Sequence, residues 1–169
     1  MVIYIYNDYG GTHTTSMAAA FHLKKLPTDR ELTKEEILAI PYFNKLTSSD
    51  FGKLIFHGLD EDKNPVYTIG RKNQKFVVPA MKELGLLLQE RYNGEEKIIF
   101  SNTSPTVPFP MSIGGFLSRG LKIDFLGVPL LVAGAKICTK DIIRLVEHTK
   151  QSGKQQKDKI IVLDNKEFK

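Results

Sequence analysis

The 169-residue chain has no tryptophan, a single cysteine and only 4 histidines, and each shortage removes a class of protein. Cys138 alone cannot close an internal disulfide, so the chain is not of the cystine-stapled secreted kind. No segment reaches the ~18 apolar residues of a membrane helix. The richest stretch, Gly127 to Ala135, is interrupted by Pro129. The opening apolar run, Val2 to Tyr6, is shorter than the ~7–15 residues of a signal-peptide core and has no basic flank. These absences predict a cytosolic protein with a reduced thiol and no membrane attachment. His22, His57 and His148 lie far apart without metal-ligand spacing, so no metal site is expected.

A strong charge of one sign is also missing: 24 Lys+Arg stand against 19 Asp+Glu, a net +5. Most of that excess lies late, since residues 121–169 hold 10 basic and 6 acidic side chains. Lys150, Lys154, Lys157 and Lys159 lack the interleaved aromatics of a single-strand platform, so a solvated face is favoured over a nucleic-acid surface. With 41% hydrophobic residues, the chain can bury a continuous core as a single α/β domain over residues 1–169.

Val2-Ile3-Tyr4-Ile5-Tyr6 is β-branched or aromatic throughout, which predicts a strand buried on both faces. The turn Asn7 to Gly11 and the hydroxyl-rich run Thr12 to Ser16 lead into Met17 to Leu23, a helix expected to stop by Pro27. Thr33-Lys34-Glu35-Glu36 has capping-box spacing for a short helix before Pro41. Leu54 to Phe56 and Val66 to Ile69 bracket a polar joint and predict a hairpin or two neighbouring strands. Phe76, Val77, Met81, Leu84, Leu87 and Leu88 predict an amphipathic helix packed on the sheet, with Pro79 in its first turn.

Lys97 to Ser101 predicts another buried strand, followed by a proline-rich connection and a short helix over 113–119. Residues 123–125 and 129–133 read as strands, and Thr139 as the cap of a helix with Ile142, Ile143 and Val146 on one face. Lys159 to Leu163 predicts a last strand. The alternation points to a three-layer α/β/α sandwich with a mostly parallel sheet, right-handed crossovers and an antiparallel excursion at 54–69. Its opening βα unit is P-loop-like or Rossmann-like.

In such folds ligands sit beyond the carboxyl ends of the strands, which singles out loops 7–16 and 101–112. Gly10 and Gly11 allow close backbone approach, and a helix N-terminus offers unpaired amides and partial positive charge. Thr12, Thr14, Thr15 and Ser16 add hydroxyl donors. His13 is the candidate acid–base or nucleophilic residue, with Asp8 placed to orient it. Ser101, Asn102 and Arg119 are the further candidates for contact with an anion. The Walker pattern is absent: no lysine follows the second glycine, and no Asp ends the 97–101 strand, which argues against an ordinary ATPase or GTPase. The bland alternative remains open, since two glycines make a tight turn and Thr12 or Thr14 can simply cap the helix. Cys138 reads as an inert, partly buried thiol.

The opening Ile3 to Ser16 with Ala18-Ala19-Ala20 and His22-Leu23, the segment Ile113 to Arg119 and Gly127-Val128-Pro129-Leu130 resemble a bacterial family designated domain of unknown function 3189. The resemblance implies a free-standing single domain, found mainly in Gram-positive and often spore-forming bacteria, and carries no catalytic residues. Two functions are therefore expected. One is binding of a phosphorylated metabolite or nucleotide at loop 10–16, with phosphoryl transfer or phosphoester hydrolysis as the chemistry. The other is a non-enzymatic regulatory or partner-binding protein whose loop is structural. Contact between the basic tail and nucleic acid is a third, less supported reading.

Overall fold

A computed structural model describes residues 1–168. Five strands form one sheet, β1 (Val2–Asp8), β2 (Ile55–Leu59), β3 (Pro65–Gly70), β4 (Lys97–Asn102) and β5 (Ile160–Leu163), in the order β2-β3-β1-β4-β5. β1 lies at the centre, parallel to both β3 and β4, and β5 adds in parallel to β4. Only β2 runs antiparallel, paired with β3 through an irregularity at Phe56/Gly58, so the expected hairpin is present.

The helices are α1 (Thr14–His22), α2 (Lys34–Ala39), α3 (Val77–Tyr92), α4 (Phe109–Gly115) and α5 (Asp124–Gln155). All nine residues of α1 are buried; its alanines leave little side-chain bulk, so it can be enclosed on every side. It ends at His22, where Lys24 turns left-handed with φ 54°, earlier than Pro27 requires. The Thr33 capping box forms as expected.

One core cluster joins Tyr4, Tyr6 and Ile99 of the sheet to α1 and α5, including Met17, Leu131 and Ile142. A smaller one joins Ile5, Ile69, Phe100 and Ile160 to Val78 and Met81 of α3 on the opposite face. This division bears on chain hand. β3 to β4 and β4 to β5 step the same way across the sheet, but the first crosses over the α3 face and the second over the α5 face. The two crossovers therefore have opposite hands, contrary to the expectation of uniform right-handedness. The hand preference comes from a twisted strand feeding directly into its return helix; here α4 and a π-helical turn (Phe116–Gly120) intervene.

Three local expectations are corrected. Residues 124–155 form one helix of 32 residues, so 129–133 is not a strand and Thr139 is not a cap. Thr139 instead donates to the Ala135 carbonyl within the helix. The deciding pattern is the buried series Gly127, Leu131, Gly134, Ala135, Cys138 and Ile142, which follows helical rather than strand spacing. Gly127 lets α5 approach α4 so closely that a Cβ there would stand 2.8 Å from the Gly114 oxygen. Second, the segment expected to hold one short helix at 113–119 begins at Phe109 as α4 and changes to the π-helical turn at Phe116.

Third, α3 presents a different stripe from the one its leucines suggest. Val78 and Gln89 are buried, whereas Leu84 and Leu87 are 56% and 61% exposed. Gly85 brings the helix down onto Ile160, and Gln89 donates to the Glu96 carbonyl, which fixes that rotation. No helix among the described residues is long and apolar enough to cross a membrane.

Candidate functional site

The carboxyl end of β1 and the start of α1 make a tightly bonded corner. Asp8 accepts from the Gly11 amide and, at 2.8 Å, from the Thr14 hydroxyl. Thr14 meets the Thr103 hydroxyl at 3.0 Å, and the Thr103 amide donates to the Asn7 carbonyl. Thr103 follows β4, so this bond joins the two loops that the parallel sheet brings together. Asp8, Thr14 and Thr103 are all buried.

Gly10 and Gly11 lie against Gly70 at the end of β3. Gly11 has φ +70°, and a Cβ there would stand 2.5 Å from the Gly70 nitrogen. The glycines therefore serve chain packing in their own right. Thr12 is also engaged: its hydroxyl donates to the Tyr42 carbonyl and accepts from the amides of Lys45 and Leu46.

The first turn of α1 is different. His13 is its N-cap residue and supplies no side-chain cap, so the expectation that Thr12 or Thr14 caps the helix is not met. The first helical bond runs from the Met17 amide to the His13 carbonyl, which leaves the amides of Thr14, Thr15 and Ser16 without intrahelical acceptors. All three residues are 0% exposed, and the Thr15 and Ser16 hydroxyls have no hydrogen-bond partner. Buried polar groups are satisfied in the great majority of cases, so such a cluster requires an explanation.

His13 belongs to a chain of side chains reaching the π-helical turn. Its Nε2 lies 3.2 Å from Asn44 Oδ1, Asn44 Nδ2 donates to Ser118 Oγ at 2.8 Å, and Ser118 donates to Asp124. That polarity makes Nε2 of His13 the protonated nitrogen and leaves the lone pair on Nδ1. Asp124 also pairs with Arg119 at 3.6 Å. Burial lowers the His13 pKa from its ordinary value, partly opposed by the Asn44 bond and Asp8 and assisted by Arg119. His13 is thus a neutral imidazole at pH 7.

The remaining predicted residues divide between the two faces of the sheet. Ser101 sits on the α5 face, bonded to Thr149 at 2.8 Å and to Asn165 at 2.9 Å. It belongs to a buried core network and does not join the α1 corner. Asn102 accepts from Arg71 and from the Ser104 amide, on the α3 face.

A family model described as protein of unknown function (DUF3189) matches residues 3–151. The chain belongs to this family. The match spans from β1 into α5 and takes in the α1 corner, Asn44 and the π-helical turn. No curated protein and no solved structure matches the chain. DUF3189 membership therefore establishes kinship without an activity, and function rests on the geometry.

Thr103 lies in the loop 101–112 that the sequence singled out, whereas sequence reasoning missed Asn44, Ser118 and Asp124, which join His13 only through tertiary contact. Arg71 was the more visible omission, because a cation directly after the β3 strand must emerge at the carboxyl edge of a parallel sheet.

Proposed function

We propose that the protein binds a small phosphate-containing molecule, a metabolite or nucleotide, at the N-terminus of α1. The observation that carries this reading is the buried, uncapped first turn, with the Thr15 and Ser16 hydroxyls unpartnered. Amides at a helix start together with free hydroxyls suit an anionic oxygen cluster. Asp8 occupies the inner side of the corner, and Arg119, whose charge is felt at His13, is the cation offered to balance the ligand. The reading takes the fold as a three-layer α/β/α sandwich with a P-loop-like opening unit, working in the bacterial cytosol.

Phosphoester hydrolysis or phosphoryl transfer is the chemistry that fits. Neutral His13, with its lone pair on Nδ1, accepts the proton of an attacking water or alcohol as the new P–O bond forms. The bond to the leaving oxygen then breaks, and that proton is available to it. A thermal-shift screen with inorganic phosphate, sugar phosphates and mononucleotides tests binding; stabilisation by several degrees is expected at saturating ligand. His13→Ala should abolish turnover of an aryl phosphate while sparing binding. Absence of stabilisation by every phosphate compound would overturn the proposal.

A second reading, partner binding with a structural loop, is favoured by the roles of Gly11 and Thr12 in chain packing and by exposed aromatics at α4 and the start of α5. Phe109, Phe116 and Phe125, on α4, the π-helical turn and the start of α5, are 77%, 63% and 78% exposed. Unchanged phosphate binding in Thr15→Val, with loss of self-association or of partner capture in Phe116→Ser, would favour it.

A further inference from the structure

The carboxyl edge of the sheet has a second concave surface, on the face away from α1. Side chains alternate along a strand, so Asp8 turns toward α1 and its neighbour Asn7 toward α3. Asn7 lines a cleft of about 220 Å³ together with Arg71, Lys75, Val78, Pro79 and Asn102. The cleft opens between the ends of β1 and β4. The cleft lies beyond the carboxyl ends of the strands, where ligands in open α/β sheets bind.

Arg71 is set firmly in place here. It follows Gly70, which pairs with Asp8 in the β1–β3 register. Its Nε donates to Asn7 Oδ1 at 2.9 Å, and its Nη2 lies 3.4 Å from Asn102 Oδ1. Those two asparagines are partners in the β1–β4 register, so residues of two neighbouring strands fix the guanidinium of a residue that follows a third. A guanidinium has five donors, and only two of Arg71's are engaged among the described residues. The Asn7 side chain, 2% exposed, is held by the Arg71 bond to its Oδ1 and lies on the cleft. Neither Arg71 nor Lys75 has a carboxylate partner among the described residues, and the acid on the cleft, Asp164, faces Lys166 at 3.8 Å. The opposite wall is apolar, formed by Val78, Pro79 and Val162.

We infer that this cleft binds a small phosphomonoester, with the phosphate on Arg71, Lys75 and the Asn7 amide and its organic body against Val78, Pro79 and Val162. A dianion matches the two cations, whereas a carboxylate would leave one uncompensated. The apolar wall has no use for inorganic phosphate and favours an ester. This site is separate from the start of α1 and does not rest on the reading given for it.

Phenyl phosphate is the probe, titrated calorimetrically into the full chain carrying His13→Ala, so that the hydrolysis proposed above does not consume it. It should bind more tightly than inorganic phosphate, and Lys75→Gln should weaken it by about 10- to 100-fold, the loss expected for one charge-assisted hydrogen bond. Arg71→Lys should weaken it similarly, because the planar fork is lost while the charge remains. In Thr15→Val, which removes the contribution of the site at the start of α1, the Lys75-dependent binding event should persist with its affinity unchanged. Three results would overturn the inference: no binding of phenyl phosphate, affinity unchanged in folded Lys75→Gln, or equal affinity for phenyl and inorganic phosphate. Loss of binding only in Thr15→Val would also overturn it, while supporting the α1 site.

Discussion

Gly11 and Gly70 pack main chain against main chain: a Cβ on Gly11 would reach within 2.5 Å of the Gly70 nitrogen, and one on Gly70 within 2.6 Å of the Gly10 oxygen. The turn after β1 is thereby locked to the end of β3, which seats Asp8 under the first turn of α1. Gly70→Ala should cost about 1–3 kcal/mol by overpacking. Gly11→Ala should cost about 1–2 kcal/mol more, because an L residue is strained at φ +70°. Denaturant unfolding of the two variants checks both values, and wild-type stability in Gly70→Ala would remove the lock.

Thr15→Val separates a ligand site from an unfilled core position. The hydroxyl is buried without a partner, and an isosteric methyl relieves that burial. The free protein should keep its stability or gain about 1 kcal/mol. Phosphate binding at the start of α1 should weaken at the same time. Parallel melting curves with and without phosphate measure the two effects, and a loss of stability without ligand would mean that the hydroxyl is satisfied within the fold.

Acid sensitivity should come first from two buried histidines. His22 lies between Tyr6, at 2.8 Å, and Asp60, at 3.2 Å, and His57 bonds Thr68 at 3.0 Å. Burial lowers each pKa from 6.5 to about 4. Between those values the unfolded chain binds more protons than the folded one, so stability falls as pH drops from about 6.5 to about 4 and then levels off. Each histidine contributes at most about 3 kcal/mol to that fall. Glu36 and Glu61, with pKa values lowered from 4.5 to about 2 chiefly by bonds from Arg30 and Lys150, lose their contributions in a more acid window. The melting temperature should therefore decline by on the order of ten degrees across the histidine window, and less steeply in His57→Gln. A flat profile would contradict the buried, neutral state of both rings.

Cys138 should be unreactive in the native protein. Burial raises its thiol pKa to about 12, which removes the thiolate that disulfide reagents require. Labelling should proceed at the rate of unfolding. Fast labelling under native conditions would mean that α5 opens locally.

The sequence-level reading succeeded where local signals agree with tertiary placement. The apolar run of β1, the Thr33 capping box and the hairpin at 54–69 depend on short-range chemistry. Residues 123–135 misled because branched apolar residues around Pro129 resemble a strand, while their glycine and alanine spacing has meaning only once α4 supplies a partner. The leucines of α3 misled similarly: Gly85 and Gln89, not Leu84 and Leu87, decide which side meets the sheet. At the site, Asp8, His13 and Thr14 were legible from their place after a strand. Asn44 and Ser118 were not, because each reaches the carboxyl edge by a contact far away in sequence, whereas Arg71 carried a local signal in its place directly after β3.

The central claim is that the start of α1 holds a phosphate group, and amide chemical shifts during a titration with inorganic phosphate test it most directly. The account predicts saturable movement of the Thr14, Thr15 and Ser16 amides, weakened in Thr15→Val. If those amides stay fixed while the protein remains folded and phosphate is in large excess, the claim is wrong.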